Sequence, residues 1–94
     1  MYKAKYHPKI KKDLKRIDPP IRLKIRNEHI PKILTSPEIG EELVGDLKGT
    51  HSYHFTISKQ QFRIAYIVEK DTKMVFVQMI GKRSDFYTLL KRRI

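Results

Sequence analysis

The spacing of apolar residues changes near the middle of the chain, and this change constrains the fold more than any other feature. Between residues 10 and 34, apolar side chains recur at the three- or four-residue spacing of an amphipathic helix. From residue 53 to residue 80 they alternate with polar residues or run together, which is typical of strands. A helical first half and a stranded second half predict an α+β fold.

The first half is expected to hold one strand and two helices. The alternating segment 2–6 predicts a short edge strand, and the apolar spacing over residues 10–17 predicts a basic amphipathic helix. Asp18 and the two prolines after it end that helix and begin the next, since aspartate caps a helix whose first turn accepts proline. Pro31 lies inside the second helix and is expected to kink or split it near Ile30.

The second half is expected to form three antiparallel strands and a short helix. Residues 38–49, which follow the helix end at Ser36-Pro37, are interpreted as a loop. The strands are expected over residues 53–57, 62–68 and 74–80. The tail from Phe86 to Ile94 carries cations near its end and suits a helix. Residues 1–94 are therefore expected to form one domain in the order β-α-α-β-β-β, a mostly antiparallel four-stranded sheet packed against two N-terminal helices, with a short C-terminal helix.

The net charge is the strongest indication of a partner. The sequence has 21 lysines and arginines against 10 aspartates and glutamates, a formal net charge of +11. A charge of this size, spread over both halves of the chain, suits the phosphate backbone of a nucleic acid, although a merely solvated basic surface has the same composition.

The same composition argues against several other classes of protein. The chain has no cysteine, which excludes a disulfide framework and thiolate metal sites. It has neither a signal-peptide pattern nor a run of about 18 apolar residues, so a cytoplasmic protein without a membrane partner is expected. No histidine pair stands at ligand spacing with a carboxylate, and we expect no metal and no other cofactor.

Alternation along the strands brings chemically active side chains to one face of the expected sheet. His54 and Arg63 each alternate with residues expected to face the helices, so both are expected on the outer face. If the hairpin turns at Lys59-Gln60, Thr56 lies opposite Arg63 and His54 lies on its diagonal. The turn residues are not the favoured Asn-Gly pair, so another register stays open.

The next hairpin is expected to add further groups to this patch. It brings Gly81-Lys82-Arg83 near Arg63, and Tyr87 lies one helical turn beyond. RNA cleavage by attack of its own 2′-hydroxyl needs an acid–base group and cations, which this patch supplies, and it requires no metal. The alternatives are structural: His54 as a surface histidine, Tyr87 as a packing ring and Arg63 as an ion-pair partner.

Five short motifs run through the chain in an order characteristic of one protein family. They are Leu47-Lys48-Gly49, Tyr53-His54-Phe55, Phe62-Arg63-Ile64-Ala65-Tyr66, Ile80-Gly81-Lys82-Arg83 and Phe86-Tyr87. In order and spacing they resemble the RelE/ParE superfamily of type II toxin–antitoxin toxins, and most of all the RelE type. The resemblance covers essentially the whole chain. It implies a ribosome-dependent endoribonuclease that cuts messenger RNA in the A site by 2′-hydroxyl attack and inhibits translation.

The resemblance also implies roles for individual residues. Arg63 matches the arginine that steadies the scissile phosphate, Arg83 matches the one that supports the transition state or leaving group, and Tyr87 matches the tyrosine that stacks on the substrate. Where RelE-type toxins have two lysines, this chain has His54 and Thr56. We expect His54 to replace the lysine base, since an ordinary pKa of about 6.5 suits proton transfer at neutral pH.

The expected partners are macromolecules. Lys48, Lys59, Lys82 and His51 are expected to contact RNA, with His51 in the loop before the strand. The resemblance implies messenger RNA and the ribosomal A site with its 16S rRNA as targets, and a small acidic antitoxin that forms an inhibitory complex. No small-molecule substrate is expected. The tail from Phe86 to Ile94 is either a docking element for the antitoxin or permanently packed core.

Two other functions stay open. The ParE branch shares the fold but poisons DNA gyrase by binding it, and it needs no acid–base cluster. The missing lysines favour that branch, whereas the Gly81-Lys82-Arg83 segment, Tyr87 and the net charge favour RNA cleavage. The other alternative is a catalytically weak relative that only binds ribosomal RNA.

Overall fold

The computed structural model of the protein describes residues 1–82 and 85–93, and a five-stranded sheet forms its centre. The strands are β1 (Lys3–Tyr6), β2 (Glu41–Glu42), β3 (Thr50–Ile57), β4 (Gln60–Glu69) and β5 (Met74–Lys82), in the spatial order β1-β5-β4-β3-β2. Only β1 runs parallel to its neighbour, β5, and the other pairs are antiparallel. The predicted α+β class and the edge position of the first strand are confirmed.

The sheet has one strand more than the four expected. Glu41 and Glu42 lie within the segment interpreted as a loop, yet they pair with Ser52 and His51 of β3. Both glutamates are exposed, so this strand has no apolar alternation by which a sequence reveals it. A strand of two acidic residues also protects the sheet edge from pairing with other chains.

The helices follow the predicted order. They are α1 (Ile10–Lys15), α2 (Pro19–Lys24), a π-helical turn (Ile25–His29), α3 (Ile30–Thr35) and α4 (Phe86–Arg93). The break expected near Ile30 is this π-helical turn, in which the backbone N–H of Ile30 donates to the carbonyl of Ile25. Pro31 then lies in the first turn of α3, where a missing backbone donor is tolerated. Within the described ranges, no helix has the length and apolar character needed to cross a membrane.

Apolar side chains cover both faces of the sheet. On the first face, α1 to α3 bury a stripe of isoleucines against strand residues; the stripe consists of Ile10, Ile17, Ile21, Ile25, Ile30 and Ile33. On the second face, Phe86 and Leu90 of α4 pack against Ala65 and Met79. The described part of the C-terminal tail therefore packs on the face opposite the N-terminal helices.

A buried ion pair ties the end of α4 to the N-terminal half. The carboxylate of Asp13 accepts hydrogen bonds from Nη1 of Arg93 at 2.6 Å, from Nη2 at 3.0 Å and from the backbone N–H of Ile80 at 3.1 Å. Nη1 of Arg93 also donates to the carbonyl of Gln78 at 3.0 Å. The side chains of Asp13 and Arg93 are 8% and 12% exposed, so water competes little for these bonds. One buried carboxylate thus joins α1, β5 and α4.

Candidate active site

The hairpin between β3 and β4 sets the geometry of the candidate site. It turns at Ser58 and Lys59, which both adopt positive φ angles of 52° and 64°. In this register His54 lies directly opposite Arg63. The register that placed Thr56 opposite Arg63 is wrong, because the turn comes one residue earlier. A two-residue turn with positive φ matches the twist of the flanking strands, and this outweighs the poor left-handed preference of serine and lysine.

A chain of hydrogen bonds links three side chains on the second face of the sheet. Nε2 of His54 lies 3.2 Å from Oγ of Ser52, and that oxygen lies 3.3 Å from the phenol oxygen of Tyr87. Ser52 is 2% exposed, whereas the ring of His54 opens to solvent. The sequence interpretation missed Ser52, although its position two residues before His54 assigns it to the same face of β3.

Arg63 completes this group, and we call Ser52, His54, Arg63 and Tyr87 the candidate site. The guanidinium carbon of Arg63 lies 4.8 Å from the centre of the Tyr87 ring, within the range of a cation–π contact. Tyr87 is held there because the residue before it, Phe86, is buried in the core beneath α4. The structure thus brings together three of the four residues expected to carry catalysis.

The surroundings of His54 favour its neutral form. Partial burial lowers the pKa of His54 below its ordinary value of 6.5, and the positive charge of Arg63 lowers it further. Glu41 opposes this shift, since its negative charge favours the imidazolium. Glu41 pairs with Ser52, so its side chain shares the face of the candidate site. At neutral pH, His54 is therefore a proton acceptor rather than a donor.

A shallow depression on the sheet gives a substrate access to these groups. It has a volume of about 200 Å³ and is lined by His54, Phe55, Thr56, Gln61, Phe62 and Arg63. A proton acceptor and a guanidinium on facing strands form a pair that can remove a proton and stabilise a nearby oxyanion. No group of three or more histidines, cysteines, aspartates or glutamates among residues 1–82 and 85–93 has the arrangement of a metal site.

The remaining residues expected at the site are dispersed. Lys48 and Lys59 are exposed, Lys48 in the segment before β3 and Lys59 in the hairpin turn. His51 lies in β3 rather than in the preceding loop, and its ring stacks on that of Tyr66, 5.4 Å between centroids, on the first face of the sheet. Lys82 pairs with a buried residue of that same face, so alternation turns it away from Arg63.

Arg83, the other residue expected to act in catalysis, lies outside the described residues. The residue that pairs with Arg63 on β5 is Gly81, two positions earlier in the sequence. The expectation that the end of β5 approaches Arg63 is therefore confirmed for Gly81, whereas the side chain of Lys82 lies on the other face.

A second surface of interest lies between the end of β1, α1 and α2. It is a groove of about 600 Å³ with Ile10, Leu14, Leu23 and Ile25 among its apolar lining residues and Lys11, Arg22 and Arg26 among its cations. Leu23 is 57% exposed, and Tyr6 at the end of β1 is 51% exposed. Apolar side chains left open beside cations are typical of a surface that binds another protein.

The chain matches the model of a known protein family over residues 5–91, described as the ParE-like toxin of type II bacterial toxin–antitoxin systems. No curated protein matches the chain.

Solved structures give a matching result for the fold. The RelBE2 toxin–antitoxin complex from Mycobacterium tuberculosis aligns with a TM-score of 0.76 and 19% identity, covering 87% of this chain and 98% of that one. The isolated RelE toxin of E. coli aligns with a TM-score of 0.69 and 22% identity, covering 99% and 98%. A conserved hypothetical protein from Helicobacter pylori aligns with a TM-score of 0.58 and 21% identity, covering 90% and 98%. At these identities the likeness is one of fold.

Proposed function

Since the chain belongs to the ParE-like toxin family of type II toxin–antitoxin systems, we propose that it is a ribosome-dependent endoribonuclease that cleaves messenger RNA in the A site. The observation that carries this proposal is the meeting of His54, Arg63 and Tyr87 on the second face of the sheet, beside a depression open to solvent. A toxin that acts only by binding has no need of a neutral histidine facing an arginine. The net charge of +11 supports a polyanionic substrate.

The proposed reaction uses each of these side chains. His54 takes the proton from a ribose 2′-hydroxyl, and the freed oxygen attacks the adjacent phosphorus. The bond from phosphorus to the 5′-oxygen breaks as that oxygen takes up a proton from water, which leaves a 2′,3′-cyclic phosphate and a 5′-hydroxyl. Arg63 stabilises the charge that develops on the phosphate oxygens, and the ring of Tyr87 stacks on a base. From its match to the family, Arg83 is assigned to the leaving group.

Two exposed lysines outside the candidate site suit the RNA backbone. Lys48 and Lys59 are proposed to contact phosphates on either side of the cut, where each contact adds affinity but no sequence preference. The reaction as proposed draws on side chains, RNA and water.

The antitoxin is the second proposed partner. The groove between α1 and α2 offers an apolar floor with Lys11, Arg22 and Arg26 beside it, which suits an amphipathic segment that carries acidic residues. An aspartate at Leu23 would place a like charge in that interface. We expect Leu23→Asp to leave growth arrest intact but to abolish rescue by the co-expressed antitoxin, with Thr72→Asp in the exposed β4–β5 turn as the control for the added charge.

The test of the proposed function is expression in bacteria with messenger RNA ends mapped by primer extension. The wild type is expected to give cuts phased with codons. His54→Ala is expected to reduce them about 10²–10⁴-fold, and Arg63→Ala about 10²–10³-fold. Arg92→Ala removes the same charge from an exposed position on α4 and is expected to cut as the wild type does.

The match to a ParE-like family favours one alternative function, that of a toxin that acts on DNA gyrase as the ParE branch does. Growth arrest with gyrase-dependent DNA breaks and no messenger RNA cuts would establish that rival. Near-normal cutting by His54→Ala would leave RNA cleavage in place but remove its proposed base. Ribosome binding without either kind of damage would indicate the catalytically weak relative.

A further inference from the structure

The hydroxyl of Ser52 occupies a position that the reaction described so far does not use. It is buried, yet it lies between the two side chains of the candidate site that meet the substrate, 3.2 Å from Nε2 of His54 and 3.3 Å from the phenol oxygen of Tyr87. A hydroxyl has one proton to donate and lone pairs to accept with. Ser52 can therefore hold both neighbours at once, provided that one of them donates to it.

We propose that Ser52 is a positioning residue of the candidate site, which accepts the Nε2–H of His54 and donates its own proton to the phenol oxygen of Tyr87. This inference rests on the proposed function and deepens it. It assigns Nδ1 of His54 as the atom that receives the proton of the 2′-hydroxyl.

The direction of the first hydrogen bond follows from the proton transfer itself. When His54 accepts a proton at Nδ1, both ring nitrogens carry hydrogen, and the Nε2–H still donates to Ser52. With the opposite direction, the proton of Ser52 would occupy the lone pair of Nε2, and that bond would have to break if Nε2 were the base. A serine that accepts from Nε2 thus keeps the same contact before and after the transfer, so the site needs no rearrangement.

The second hydrogen bond extends the effect to α4. Tyr87 has its ring against the guanidinium of Arg63, 4.8 Å from the ring centre. Ser52 holds the hydroxyl end of the same side chain from beneath. The ring is therefore fixed at two points. Because Ser52 is on β3 and Tyr87 on α4, the bond also sets the distance between the helix and the proposed base.

The electrostatic setting of His54 is needed to interpret the test. Among residues 1–82 and 85–93, the charged or titratable groups that face it are Glu41 from β2, Arg63 from β4 and, through Ser52, Tyr87 from α4. A hydroxyl that accepts from Nε2–H stabilises the imidazolium more than the neutral ring. Its loss is therefore expected to lower the pKa of His54 further.

The test compares Ser52→Ala with the wild type in the protein free of RNA. Nitrogen-15 NMR of the imidazole reports which nitrogen carries the proton and where the ring titrates. The wild type is expected to show neutral His54 protonated at Nε2, and Ser52→Ala is expected to show a mixture of tautomers and a lower pKa. Messenger RNA cutting by Ser52→Ala is expected to fall about tenfold, in line with the loss of one hydrogen bond in a site that keeps its base.

Two further variants separate positioning from folding. Tyr87→Phe removes the other end of the hydrogen-bond chain without emptying the buried site of Ser52, and it is expected to shift the His54 resonances in the same direction but less. Thr88→Ala deletes a hydroxyl from the exposed side of α4 and is expected to leave both the tautomer and the cutting unchanged.

The outcomes for Ser52 and for the proposed function can be told apart. Neutral wild-type His54 protonated at Nδ1, or a Ser52→Ala variant whose tautomer and pKa match those of the wild type, would overturn the role of Ser52 whatever the RNA results. Absence of cuts from the wild type, with the expected change in His54 on removal of Ser52, would overturn the nuclease but leave the hydrogen-bond chain established.

Discussion

Replacing Asp13 by asparagine removes the charge that Arg93 faces while nearly keeping the shape of the side chain. The carboxylate accepts three hydrogen bonds, two from Arg93 and one from the backbone N–H of Ile80, and both charged side chains are mostly buried. An amide keeps one acceptor and turns an N–H group toward the remaining donor. Removal of one partner from a buried pair costs about 3–5 kcal/mol, and we expect Asp13→Asn to lie near the lower end because one acceptor remains.

Urea denaturation followed by far-UV circular dichroism measures this loss. The free energy of unfolding is expected to fall by about 3 kcal/mol with an unchanged m value, and Tm by about 12 °C or more. The control is Asp46→Asn, which breaks the pair with Lys91 whose N–O distance is 3.7 Å and whose aspartate is 85% exposed. That change is expected to cost less than about 0.5 kcal/mol, because water screens an exposed pair.

A double-mutant cycle with Arg93→Gln identifies the cause of the loss. If the unpaired guanidinium is what destabilises Asp13→Asn, removing its charge as well should restore part of the stability. An Asp13→Asn variant no less stable than Asp46→Asn would refute the reasoning, and so would losses that simply add in the double variant.

Two other substitutions test the surroundings of His54 and the packing of Tyr66. Glu41→Gln removes the charge that raises the pKa of His54, so the midpoint of the His54 NMR titration is expected to move to lower pH. His54 should then stay neutral down to a more acidic pH. Glu42→Gln, on the opposite face, is the matched control, and an equal shift in both variants would contradict the assignment. Gly40→Ala would bring a methyl group against the hydroxyl of Tyr66, which is buried and bonded to the backbone on both sides of the turn. It is expected to cost about 1–3 kcal/mol in urea denaturation, whereas Gly81→Ala meets only ordinary contacts and should cost clearly less.

The order of helices and strands could be predicted from the sequence because burial repeats along it. The isoleucines of α1 to α3 and the alternating residues of β3 and β4 all pack as their spacing predicts. Pro31 likewise indicated a break near Ile30, since its missing donor and bulky ring act locally, although the π-helical form of that break is seen only in the structure.

What the sequence did not predict depends on contacts between distant segments. The short strand β2 consists of two exposed glutamates and exists only because β3 offers a partner. The turn at Ser58 and Lys59 adopts positive φ because strand twist favours it, against the local preference of these residues.

The candidate site likewise contains residues that the sequence could predict and contacts that it could not. His54, Arg63 and Tyr87 could be assigned to one region from alternation and from the family resemblance. The linking role of Ser52 could not, because a serine in a strand is ordinary until a tyrosine 35 positions later meets its hydroxyl. The Asp13–Arg93 pair spans 80 positions and was missed for the same reason.

The parallel pairing of β1 with β5 has a consequence for cotranslational folding. Lys3 pairs with Met74, so the first strand has no neighbour until the last one has left the ribosome. Sheets closed by such distant segments form slowly, because the chain loses conformational entropy in closing the loop before strand pairing stabilises it. Tyr87 and Arg93 arrive later still. A nascent chain therefore cannot complete the candidate site until α4 has also left the ribosome, since Tyr87 lies on that helix.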